Sequence, residues 1–148
     1  MEDFSGLRVV GQGPIWTRTW SLLGAQSVSM GWPDIYLGLE RGTIDAAPGN
    51  WAASKGGKWA EVAEHAVEIS IMGGFFNAVI ANEDAWAALP DEVRASWMEI
   101  LRKAPMRIAA RANENEDAGR AFARELGRDI QAFAPEERAR MAEALKRF

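Results

Sequence analysis

The side chains with the clearest chemical use gather in two short stretches: Trp32 and Tyr36 within Trp32-Pro33-Asp34-Ile35-Tyr36, and Asn50-Trp51 just after Pro48-Gly49. Indole and phenol rings offer flat apolar faces with a polar edge, and an amide both donates and accepts hydrogen bonds. Such a set suits holding a small molecule. Arg8, in Leu7-Arg8-Val9-Val10, adds a guanidinium whose fork matches a carboxylate. Groups for bond-making chemistry are scarce. His65 is the single histidine and cysteine is absent, so thiolate metal sites and a Ser-His pair lack their parts. Glu61, Glu64, His65 and Glu68 have a helical spacing that superficially suggests metal ligation, and read better as a solvated helix face. Gly11-Gln12-Gly13 lacks the further Gly or the Lys-Ser/Thr of a phosphate cradle, and Pro14 removes an amide donor, so it reads as a tight turn. Asp34 and Glu40 are poorly aligned on a helix for acid-base work. The expectation is no catalytic activity, no metal and no cofactor.

The elements that must position these residues alternate. Residues 7–10 form a β-rich run, and Gly11 to Pro14 turns the chain into a helix over about 14–23. A strand follows at 27–30, then a helix over 33–41 with Pro33 in its first turn and Gly42 as a left-handed stop, then a strand at 43–47. This βαβαβ pattern predicts an α/β fold with a mainly parallel sheet and right-handed crossovers. Trp32 then sits past a strand's carboxyl end, where open α/β sheets form crevices. Pro48-Gly49-Asn50 breaks the strand, and a helix over 51–64 is interrupted near Gly56-Gly57. Strands are expected at 67–72 and 75–81 around Gly73-Gly74. A long helix runs over 91–126 with Pro105 kinking or breaking it and Gly127 ending it. A short strand at 130–133 precedes a last helix opened by Pro135.

The order Gly24-Ala25, apolar strand, aromatic, acidic, Ile35-Tyr36, Leu39, Gly42, Ile44-Asp45 resembles the signature of TRAP-transporter solute-binding proteins, the DctP-like family. Gly6-Leu7-Arg8-Val9, Trp59-Ala60-Glu61-Val62 and the opening from Asn82 through Trp86 to Leu89-Pro90 are similar to further motifs of that family, in the same order. The resemblance implies a periplasmic-binding-protein-like lobe over 6–90 and a helical carboxyl-terminal segment over 91–148, a single partial solute-binding domain. It implies a small organic solute, with an organic acid favoured, membrane permease subunits as partners, and a periplasmic location. Trp32 would be an aromatic wall, Tyr36 its support, and Trp51 and Trp16 further aromatics around the crevice. Val10 stands where the family commonly has a carboxylate-binding Arg, which leaves Arg8, on the same side of the strand, as a partial substitute. Asn50 is displaced by one residue from the family's usual Asn, whose place falls on Gly49.

A chain of 148 residues with 48% hydrophobic residues can bury a core, and its net charge of −4 and pI near 5.1 argue against nucleic acid as a partner. No apolar run approaches the roughly 20 residues that span a bilayer. Met1-Glu2-Asp3-Phe4 lacks a basic start and a hydrophobic signal core, so the chain as written is expected to be a fragment of an exported protein. In the resembling family the long helix spans both lobes. Its apolar positions Ile100, Ile108 and Phe122 would then be uncovered here, and the rival expectation is a self-associating module, a homodimer through exposed helices, that binds no solute.

Overall fold

The computed structural model describes residues 4–69 and 78–147. Residues 1–71 together with 116–148 form one compact unit, and residues 72–115 form a second. In the first unit, β1 (Arg8–Val10) leads through α1 (Gly13–Leu22) to β2 (Gln26–Val28), which pairs with β1 in parallel, Val9 opposite Ser27. A 3-10 turn over Trp32–Asp34 and α2 (Ile35–Glu40) then return the chain to the other side of β1, where Val9 bridges Ala46, again in parallel. β1 is therefore central.

Strand alternation explains the layers. Val9 and Val10 point to opposite faces, as successive strand residues must, and each joins a different core. Val9 packs with Trp20, Leu23 and Ala25 beneath α1, and the cluster is closed by Met141 of the last helix. Val10 packs with Ile35, Ile44 and Trp59 beneath α2. Helices thus cover both faces, as the α/β pattern requires. Ile35, Ile44, Met141 and Val10 are the largest fully buried side chains, each contributing about 1.5–3 kcal/mol by burial.

The third strand expected at 43–47 shrinks to a single bridge, for a local reason. The Asp45 carboxylate takes the Arg8 N–H at 2.8 Å and forks with its guanidinium at 2.9 and 2.6 Å. A side chain thereby occupies a ladder position that a backbone carbonyl would fill. β2, read at 27–30, starts one residue earlier and ends two residues earlier, and the 33–41 helix opens with the 3-10 turn, Asp34 N–H donating to the Gly31 carbonyl. Gly42, at φ 63°, ends α2 as expected.

Beyond this, α3 (Trp51–Gly56) and α4 (Trp59–Val62) split where Gly56-Gly57 predicted, with Lys58 at φ 58° between them. The chain leaves the helix before 64, because Arg128 takes the carbonyls of Ala60 and Glu61 at 2.6 and 3.1 Å. His65 and Glu68 therefore lie on a strand, β3 (His65–Glu68), so the expected shared helix face of Glu61, Glu64, His65 and Glu68 does not form. β3 pairs in parallel with β4 (Asp129–Ala132), making a second two-stranded sheet. Residues 70–72 and 75–77 of the two expected strands lie outside the described residues, and 78–81 are not extended in a strand.

In the second unit, Asn82 caps α5 (Glu83–Ala87) by accepting from Ala85 N–H at 3.0 Å. α6 (Asp91–Glu125) follows and continues into the first unit. Pro105 does not break it. Gly127, at φ 71°, ends it and lets Arg128 N–H close on the Ala123 carbonyl at 3.0 Å. α7 (Pro135–Leu145) completes the first unit. Among the described residues no helix is long and apolar enough to cross a membrane.

The Arg8 fork holds the Asp45 carboxyl at about 2, below its ordinary 3.8. A lowered carboxyl pKa stabilises the fold above the unfolded value and ceases to do so as pH falls towards the folded one. Asp45→Asn should melt below the parent at neutral pH, with the gap closing as pH drops from about 3.8 to about 2 in thermal melts. A gap independent of pH would contradict the pair's role.

Candidate functional site

The sheet order β2, β1, then Ala46 reverses direction at β1, which puts the natural crevice of the fold outside the carboxyl ends of these strands. Trp32 follows β2, and Asn50 and Trp51 follow the Ala46 bridge, so the two aromatic-bearing stretches converge on that edge. Trp32 keeps 47% of its surface exposed while stacking on Trp59, with centroids 4.8 Å apart and planes at 12°. Trp59 is buried, slotted against Gly49 and Gly57, where an added Cβ would fall 2.7 Å and 2.3 Å from its ring. Its indole N–H finds no partner among the described residues.

Asn50 is the N-cap of α3, its Oδ1 accepting from Ala53 N–H at 2.7 Å. Glu116, from α6, takes the amides of Trp51 and Ala52 at 3.0 and 3.2 Å, so three otherwise orphaned donors of the helix start are satisfied. Trp51 is fixed further. Its indole N–H donates to Glu68 at 2.8 Å, Glu68 also accepts from Arg120 Nε at 2.8 Å, and the Arg120 guanidinium lies 5.8 Å from the Trp51 ring centroid. Arg120 first, then Trp51, lowers the Glu68 pKa by stabilising its anion. The approach of α6 to α3 needs Gly119, where a Cβ would meet the Trp51 carbonyl oxygen.

Arg8 stands at the amino end of β1 with its fork filled by Asp45, away from the strand's carboxyl end. Tyr36 is half-buried in the Val10 core, and its phenol is held above its ordinary pKa by desolvation first, with the Glu61 and Glu40 charges adding. Trp16 stacks on Trp20 at 5.7 Å and packs on the Val9 core, which corrects its placement among the crevice aromatics. Gly11 N–H donates to the Val28 carbonyl at 2.9 Å, adding one more rung to the parallel β1–β2 pairing. A groove of about 450 Å³ lined by Leu22 of α1 and by Arg140, Glu143, Ala144, Lys146 and Arg147 lies at the opposite edge, where α1 ends, and Glu143 pairs there with Lys146.

Glu116, Gly119 and Arg120 were missed by sequence reading, and Trp59 and Glu68 were noted there without their part in this site. Gly119 alone carried a signal, being a lone glycine within a helical pattern, which marks a close approach.

Residues 1–148 match the sequence model of the DctP family, described as "Bacterial extracellular solute-binding protein, family 7". A curated relative, the C4-dicarboxylate-binding periplasmic protein DctP of Vibrio cholerae, is 27% identical over 124 residues, covering 84% of this chain and 37% of that protein. The fold is similar to that of a TRAP periplasmic solute-binding protein from Desulfovibrio salexigens with bound orotic acid, at a TM-score of 0.88 and 17% identity over 97% of this chain and 46% of that one. It is also similar to one from Bradyrhizobium sp. BTAi1 in complex with α/β-D-galacturonate, at a TM-score of 0.83 and 21% identity over 99% of this chain and 48% of that one. The chain thus spans about half the length of these solved relatives, and less of the curated one.

A methyl at residue 119 must push α3 off α6, and Gly119→Ala should cost about 1–3 kcal/mol in urea unfolding despite Ala's better helix propensity. Gly56→Ala, whose added Cβ meets open space, should be neutral or slightly stabilising. A Gly119→Ala protein as stable as its parent would refute the close contact.

Proposed function

Because this chain belongs to family 7 of the bacterial extracellular solute-binding proteins, the DctP family, we propose that it is part of the solute-binding component of a TRAP-type transporter and binds a small organic acid for uptake. The observation that carries this reading is the family match along the whole chain, from residue 1 to 148. The relatives described above carry C4-dicarboxylate in a name, and orotic acid and galacturonate in structures, which supports an acid as the solute class. The site would be the edge beyond the strands' carboxyl ends. Trp32 forms its wall, Asn50 and Trp51 its polar and aromatic floor, and Tyr36 supports Trp32's turn from within the core. Arg8 would reach a solute carboxylate only by giving up Asp45, so its role is structural first.

The mechanism is binding and release, without chemistry on the solute. In a two-lobed receptor the ligand selects the closed form, and the closed form is what a membrane permease recognises. The chain spans about half of its solved relatives, and this reading assigns it one side of the solute site. A periplasmic location is part of this reading and is supported by the family match and by the curated relative's name. A second reading is favoured by one observation: Trp97, Ile100, Met106 and Ile108 on α6 are exposed. Such apolar surface favours association with a second copy, and the chain would then act as an assembly module.

Titration with organic acids, followed by tryptophan emission, should show a saturable change that Trp32→Ala weakens by about tenfold, roughly 1.4 kcal/mol. A stable dimer in light scattering, with no thermal shift across acids and sugars, would favour assembly instead. Substrate turnover that survives Trp32→Ala would overturn the binding role.

A further inference from the structure

The two stacked indoles live in opposite environments. Trp59 is 5% exposed and Trp32 is 47% exposed, although their planes differ by only 12°. One face of Trp32 lies on Trp59, so its open surface is the opposite face and the edge. The Trp59 ring is confined at both ends, by Gly49 at its six-membered ring and by Gly57 at its pyrrole ring, each so close that a Cβ would have no room. Its indole N–H is buried without a partner among the described residues, a cost that a phenylalanine would avoid. What the indole adds over a phenyl ring is flat area beneath Trp32. The pair is therefore a rigid two-ring platform with one free face.

A free aromatic face held in a fixed plane gains most from another flat group: the π face of a heteroaromatic ring, or the C–H face of a pyranose. An open-chain dicarboxylate has no such face and offers the indole only its few methylenes. The guanidinium fork of β1 that would favour a second carboxylate is already matched by Asp45. We infer that the Trp32–Trp59 stack is the specificity-determining element of the proposed site and favours acids built on a six-membered ring with a stackable face over open-chain dicarboxylates. Trp59 acts as a positioning residue that need not touch the solute. This inference rests on the solute-binding reading given above.

Saturation-transfer difference NMR suits the weak binding expected of this chain alone. The probes are D-galacturonate, orotate and L-malate, tested on the parent, Trp32→Ala, Trp59→Phe and Trp59→Leu. The parent should bind a ring acid about tenfold tighter than malate, and a preference for either ring supports the inference while telling a C–H face from a π face. Trp32→Ala should remove that preference. Trp59→Phe should lower ring-acid affinity by a larger factor than malate affinity, and Trp59→Leu should widen that difference. Without ligand, the parent-minus-Trp32→Ala and parent-minus-Trp59→Phe far-ultraviolet difference spectra should share one exciton couplet, the contribution of the Trp16–Trp20 stack cancelling in both, and two difference spectra with no common couplet would overturn the platform directly. Equal affinity for malate and both ring acids, or a ring preference that survives Trp32→Ala, would overturn this inference alone. Absence of binding by any acid would instead overturn the solute-binding reading on which it rests.

Discussion

β1 is three residues long, and the first unit is organised around its two-sided burial. Val9 and Val10 commit opposite faces of one short strand to separate cores, so α1 and α2 must lie on opposite sides of the sheet. The strand order then reverses at β1, and the loops leaving β2 and the Ala46 bridge meet at its carboxyl end. The positions of Trp32, Asn50 and Trp51 follow from that placement. The Arg8–Asp45 fork secures the same strand at its other end, which explains why the guanidinium serves the fold.

α6 plays a second, more local part. Its buried residues, Gly119 and Ala123, lie toward its carboxyl end, where Glu116 and Arg120 also act on Trp51. Earlier in the helix Glu99 and Lys103 form an exposed pair at 2.5 Å, worth only about 0.2–0.5 kcal/mol. One end of the helix thus holds the candidate site together, while residues such as Ile100 and Ile108 remain exposed.

What the sequence made legible was local or periodic. Gly42 and Gly127 announced their left-handed stops, Gly56-Gly57 announced the break between α3 and α4, and the apolar pattern announced the βαβ order. The family resemblance, carried by motifs from Gly6 to Pro90, is supported by the match along the chain. Less legible were features made by side chains reaching across the fold. Asp45 takes a ladder position from the backbone, Arg128 ends α4 from beyond α6, and Glu116 caps a helix 65 residues away. Trp16 and Trp59 show the same limit: helical spacing predicts a side for each ring, and only packing decides that one joins the Val9 core while the other underlies Trp32.

The most direct measurement is an NMR titration of the seven indole N–H signals with D-galacturonate. Solute binding at the strands' carboxyl edge should move Trp32 and Trp51, and Trp59 through its stack, while Trp86 and Trp97 stay in place. Shifts confined to Trp86 and Trp97, or to Trp16 and Trp20, would contradict the placement of the site.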